Sequence, residues 1–254
     1  MAHSLMQSIA RERTTAGART GTVTVRLLDG FAAGPLVPSP TPGSVWRIAA
    51  YLALYGPTAR HRVAGELWPE ATQERALGSL RSGVWRIQRE LPGLIDARRA
   101  LLSLTDRAVA DVDELVRETR AILECDTHLP VDASVLLRHG ELLPDWHDAW
   151  IVVERERLSQ LRLDALDALA GRLLARGRFG LGLESALAAL RTDPLRESSC
   201  QRVVQACLLQ GNTAQARRHY EFHAARLRKE LGVEPAPFRA ALVSLSESAR
   251  ALAG

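Results

Sequence analysis

The 254-residue chain has three cysteines, a single lysine, 5% aromatics and no long uncharged apolar run. Cys125, Cys200 and Cys207 form no CxxC pair, which excludes a disulfide scaffold and a zinc ribbon and reads as reduced thiols in a cytoplasmic protein. No stretch approaches the roughly 18 apolar residues needed to cross a bilayer, so no membrane association is expected. The first 21 residues have no apolar signal-peptide centre, being broken by Gln7, Arg11, Glu12 and Arg13. With 46% hydrophobic and 24% charged residues, the chain is too apolar for intrinsic disorder.

Catalytic and metal chemistry are equally thin. Asp145-Trp146-His147-Asp148 lacks HExxH spacing and a second ligand group, so it reads as a helix-entry turn with Trp146 and Trp150 buried. Gly177-Arg-Phe-Gly-Leu-Gly182 follows a helix and carries no Lys-Ser/Thr, which makes it an inter-helix turn and a poor phosphate cradle. Cys200 and Cys207, seven apart on one helical face, read as small buried hydrophobes. No acid, base and nucleophile converge anywhere. The chain is expected to be no enzyme and to need neither metal nor cofactor.

What is present is a lopsided charge. Residues 1–110 hold 14 Arg against 8 acids, whereas residues 111–254 hold 19 Lys+Arg against 21 acids. A basic half suits contact with an anion, nucleic acid among them. Arg accounts for 32 of the 33 basic residues, but a codon bias produces the same excess, so it carries no weight.

Periodicity organises the chain. Val23–Leu28 alternates as a strand, and Gly30–Gly43 is broken by Pro35, Pro38, Pro40 and Pro42 into turns. A helix runs from an N-cap at Ser44 to Tyr55, where Gly56-Pro57 stops it; a second, about 60–67, ends at Trp68-Pro69. Thr72 caps a third that reaches Leu91. Short β-leaning pieces follow at Leu94-Ile95, Leu101–Thr105 and Ala108–Val112, with a hairpin turn expected at Asp106-Arg107. Three helices followed by a hairpin is the order of a winged helix-turn-helix.

From Asp113 the chain is almost wholly helical, and two pairs stand out, about 151–176 with 181–191 and 197–210 with 213–231. Their inter-helix glycines, Gly177 and Gly211, lie 34 residues apart, the tetratricopeptide period, although Pro194 and Pro235 lie 41 apart. The expected fold is therefore mainly α: a tail (1–21), a winged helix-turn-helix domain of α+β type (22–112), an all-α tetratricopeptide-like domain (113–245) and a second tail (246–254). Tyr220 and Phe222 are expected to pack within the helical domain. His61 and Arg62 either touch phosphate or are simply exposed.

The third helix carries two stripes. Leu77, Leu80, Val84, Ile87 and Leu91 form an apolar line for a core. Opposite them run Arg75, Ser79, Ser82, Arg86 and Arg89, a line without an acid, flanked by Arg81 and Trp85. Three guanidiniums on one face repel unless an anion lies alongside, and the two hydroxyls can donate to phosphate or base edges.

The residues Leu67-Trp-Pro69 and Arg75–Leu91 resemble the OmpR-type winged helix of the antibiotic-regulatory (SARP) activators. Gly140–Trp146, Trp150, Glu154–Leu158, Asp193–Glu197, Gly211–Ala216 and Leu231–Pro235 resemble that family's bacterial transcriptional activation domain. The resemblance spans about 22–245 in the family's order. It implies an activator that binds promoter repeats on double-stranded DNA, often as side-by-side copies, and helps RNA polymerase and its sigma factor engage. It also implies that Arg81, Ser82, Trp85, Arg86 and Arg89 read DNA, with Arg98, Arg99 and Arg107 on the wing. Where many relatives carry a Gly-Tyr pair before the last strand, this chain has Ala100-Leu101-Leu102-Ser103. The ATPase module of large members is absent before Gly254, so nucleotide-driven control within the chain is not expected. The rival reading is a tetratricopeptide-like interaction scaffold whose winged helix binds no DNA, which a gel shift distinguishes.

Overall fold

A computed structural model describes residues 22–34, 45–97, 101–125, 127, 129, 134–138, 140–235 and 238. The chain divides into two compact units, one of residues 1–113 with Leu143–Trp150 and the other of residues 114–142 with 151–254.

In the first unit, β1 (Val23–Arg26) alternates as its sequence dictates, with Val25 buried and Thr24 and Arg26 exposed. It pairs antiparallel with β2 (Ala32–Ala33) and parallel with β6 (Ala108–Ala110), Val25 lying opposite both Ala33 and Ala110. Three helices follow β2: α1 (Trp46–Tyr55), α2 (Arg60–Leu67) and α3 (Gln73–Glu90). Between α1 and α2 lies β3 (Thr58–Ala59), which joins β5 (Leu101–Leu104), and β5 in turn pairs with β4 (Ile95–Asp96). Ser44, the expected first N-cap, lies outside the described residues.

The hairpin expected at Asp106-Arg107 is not formed. The hairpin is β4–β5, with Ile95 opposite Leu104, and the Thr105–Ala108 turn instead hands the chain to β6 beside β1. A tight turn serves either outcome, and which partner a two- or three-residue strand takes is decided by burial far along the chain. Leu102 and Ala110 are both buried, each in a different sheet. The end of β1 is tied to the following helix, α4 (Asp111–Glu124), by the Asp111 carboxylate, which accepts the Leu27 and Leu28 N–H groups at 2.9 and 3.0 Å. Burial nevertheless pushes that carboxyl above its ordinary range, outweighing these two donors, the Val112 N–H and the nearby Arg26 charge.

Residues 143–150 complete this unit. Trp146 lies 5.6 Å from Phe31, which in turn meets Trp46 at 5.5 Å, and Trp150 meets Tyr51 edge-on at 5.3 Å. Asp148 pairs with Arg47, and the Leu143 N–H donates to the Leu27 carbonyl at 2.9 Å. Leu143 sits at φ 42°, a conformation costing a leucine about 1–2 kcal/mol; its fully buried side chain and this hydrogen bond hold it there.

The second unit is helical: the remainder of α4, α5 (Ser134–Leu137), α6 (Ala149–Ala175, in this unit from Ile151), α7 (Phe179–Thr192), α8 (Glu197–Leu209) and α9 (Thr213–Leu231). The two glycines spaced by 34 close α6 and α8 in the same way. Gly177 and Gly211 take φ 72° and 76°, and the residue after each donates back five positions, Arg178 to Leu173 at 2.9 Å and Asn212 to Cys207 at 2.8 Å. That is the Schellman ending, open to glycine because it has no Cβ. Gly182 serves differently: a Cβ there would lie 2.7 Å from Leu174, so its absence lets α6 and α7 approach.

Ala170, Ala186, Cys200, Val203, Val204, Cys207 and Ala216 form a buried cluster from four helices. Burial pushes the Cys200 thiol up to about 12, and none of the three cysteines is in a disulfide. Asp167 binds α6 to α8 by accepting from Arg196 Nε (2.8 Å), Ser198 Oγ (2.6 Å) and Ser199 Oγ (2.7 Å). Tyr220 packs on Phe238, but Phe222 does not pack: it is 72% exposed. On α9 its position lies about 100–140° around the helix from the buried line of Ala216, His223 and Leu227, on the side that faces outward.

His223 is buried, hydrogen-bonded to the Leu195 backbone through one nitrogen, and without a partner at Nε2. Burial holds it below its usual 6.5, assisted by Arg226 and opposed by the Leu195 bond, Glu197 and Asp193. The unfolded chain therefore binds the proton more readily, so stability is level above about pH 6.5 and falls as the pH drops through 6.5 toward the folded value. Urea midpoints of the full chain followed from about pH 7.5 to 5.5 should fall more steeply than those of His223→Gln; parallel slopes contradict this assignment.

Candidate nucleic-acid interface

The geometry of α3 follows from its two periodicities. Ala76, Leu80, Gly83, Val84 and Ile87 are buried, with Leu77 and Leu91 half-buried at the margins. Gly83, which the apolar pattern passes over, is a contact point: a Cβ would lie 2.5 Å from Ile48 Cδ1, and its absence lets α1 and α3 pack closely. Thr72 is the N-cap in extended conformation, its carbonyl accepting the Ala76 N–H at 2.9 Å, although its hydroxyl makes no cap bond.

Arg75, Ser79, Arg81, Ser82, Trp85, Arg86 and Arg89 are all exposed. At 100° per residue, Arg75, Ser79, Ser82, Arg86 and Arg89 fall within one narrow arc, and Trp85 lies next to it. The face is not wholly cationic, as its sequence promised. Glu90 comes within 4.0 Å of Arg86, an exposed pair one turn apart whose contribution to stability is close to nil. The Arg89 guanidinium lies over the Trp85 ring, 5.5 Å from its centre. Arg81 reaches back beside Gly78, which presents no side chain to obstruct it. Arg75 and Arg81 have no ion-pair partner among the described residues.

Other arginines of this unit are committed to the fold. Arg47 holds Asp148, and the Arg62 guanidinium lies near the buried Tyr51 hydroxyl. Burial and Glu66 push that hydroxyl above its ordinary range, with Arg62 opposing them. Arg60 donates to the Ala97 carbonyl at 2.6 Å, fastening α2 to the residue that follows β4, on the loop side of the β4–β5 hairpin. That role had no signal in the sequence, because Arg60 and Ala97 lie 37 residues apart. His61 is exposed. Arg98 and Arg99 lie outside the described residues. Arg107 is exposed in the β5–β6 turn, its carbonyl accepting the Val23 N–H at 2.7 Å, so it is not on the hairpin. No group of three or more metal-ligating side chains occurs among the described residues, and no described helix is long and apolar enough to cross a membrane.

No curated protein matches the chain. Among solved structures, Mycobacterium tuberculosis EmbR in complex with a low affinity phosphopeptide is similar in fold at a TM-score of 0.65 and 22% identity. The match covers 89% of this chain and 64% of that one, so this chain spans somewhat under two-thirds of EmbR. Residues 100–248, more than half of the sequence, match the model of the bacterial transcriptional activator domain. The chain belongs to the bacterial transcriptional activator domain family.

Proposed function

We infer that this protein is a sequence-specific DNA-binding transcriptional regulator, an activator that sits on promoter repeats in the cytoplasm. The observation that carries the reading is the outward side of α3, where Arg75, Arg86 and Arg89 stand in line with Ser79 and Ser82 while the opposite side is buried. In this reading the first unit is a winged helix-turn-helix, α3 lies in the major groove and the β4–β5 hairpin is its wing, with Arg98 and Arg99 in the chain joining the two strands. Arginine forks and helix termini grip phosphates and set register, and two or three α3 side chains read base edges. The helical unit, tetratricopeptide-like in its repeated Schellman turns, holds a neighbouring copy or RNA polymerase with its sigma factor. Membership of a transcriptional activator domain family supports regulation.

Titration of the full chain against duplex fragments upstream of its own coding sequence tests the reading. Retardation is expected at low salt, and log affinity should fall linearly with log salt by about 0.9 for each phosphate neutralised. Absence of retardation at low salt, on these fragments and on a randomised duplex pool, contradicts it and favours the scaffold.

A further inference from the structure

Trp85 is a costly residue for its position. It is 60% exposed, belongs to no core cluster, and lies with Ser82 and Arg89 along the outermost line of α3, opposite the buried one. Its neighbours on that line are a hydroxyl and a cation, neither of which offers it an apolar partner. The Arg89 guanidinium lies over one face of the ring, 5.5 Å from its centre, and most of the indole surface stays exposed. Arg89 thereby has its charge placed beside an apolar plate.

We propose that Trp85 reads thymine, packing its open indole face against the C5-methyl group in the major groove. The inference rests on the reading of α3 as a DNA-contacting helix and adds the base for which the helix selects. The major-groove edges of the four base pairs offer one alkyl group, the thymine methyl; cytosine carries only a small C5–H at the matching position, and the remaining groups that mark the bases are hydrogen-bond donors and acceptors. Indole has a single N–H donor and no acceptor, so it distinguishes bases by apolar contact far better than by hydrogen bonding. The cation on its covered face is then directed at the flanking phosphate or at a neighbouring guanine, which positions Arg89 and Trp85 as one reading unit.

The test uses a duplex selected by the full chain from a randomised library, in which each thymine is replaced in turn by deoxyuridine, deleting only the methyl. Wild-type protein should lose about fourfold in affinity at one or two positions, the value of one desolvated methyl. Trp85→Ala should bind the thymine duplex more weakly and show no deoxyuridine penalty at those positions, with an unchanged salt slope. Trp85→Phe should retain part of the penalty. Insensitivity of the wild type to every replacement overturns the proposal while leaving DNA binding intact. A penalty that persists in Trp85→Ala overturns it too, as does a Trp85→Ala defect confined to self-association. Failure to select any duplex removes the underlying reading as well.

Discussion

Alanine at Arg75, Arg86 and Arg89 together is expected to lower affinity for a selected duplex about a thousandfold, with the melting temperature nearly unmoved. Each contact to a phosphate or a base edge is worth roughly 1–3 kcal/mol, and about 1.4 kcal/mol is tenfold, so three contacts at about 1.4 kcal/mol each reach that value. Stability should not follow, because all three side chains are exposed and the single ion pair among them, Arg86 with Glu90, is a solvated one. Single substitutions divide the roles. An arginine that grips phosphate weakens all sequences alike and makes the salt slope shallower by about one, whereas one that reads a base relaxes preference at a single position. Arg86, in the middle of the arc, is the expected base reader. Fluorescence anisotropy at two or more salt concentrations measures both effects, and a triple variant with undiminished affinity would show that this side of α3 serves something else.

The second large effect concerns stability. Trp146→Ala should destabilise the N-terminal unit by about 3–5 kcal/mol, the usual result of emptying a buried tryptophan site. Trp146 is 3% exposed and stacks on Phe31, so its loss leaves an apolar void bordered by rings that belong to the β2 and α1 region. Urea unfolding followed by circular dichroism should then show an early transition for that unit, with the transition of the helical unit in place. Trp85→Ala, which removes an equally large but exposed ring, is the control and should change little. A loss below about 1 kcal/mol for Trp146→Ala would mean that residues 143–150 are not part of the core they contact.

Much of this structure is legible because its signals are local. The α3 bounds follow from one 3.6-residue stripe between Thr72 and Pro92, and Gly177 and Gly211 mark helix ends because few other residues accept a positive φ there. Burial of Cys200 and Cys207 follows from the same periodicity. What escaped depends on distant parts of the chain. Leu101–Leu104 and Ala108–Ala110 are too short for their pattern to choose a partner, so the apparent hairpin between them gave way to pairings with β3, β4 and β1. Phe222 was expected to pack because it is aromatic, yet its helical position turns it outward, beside the buried His223. Glu90 lies off the arginine stripe at its Cα but one turn from Arg86, and a flexible side chain closes that gap. The aromatic partners of Trp146 and Trp150 lie about a hundred positions upstream, beyond the range of any spacing rule.

The discontinuity of the N-terminal unit has a temporal consequence. On a translating ribosome, β1 emerges early but finds its parallel neighbour only after residue 110, and the ring stack closes only after residue 150. At roughly 5–20 residues per second, the half-finished sheet and the bare faces of Phe31, Trp46 and Tyr51 persist for several seconds, during which nascent-chain chaperones have their opportunity.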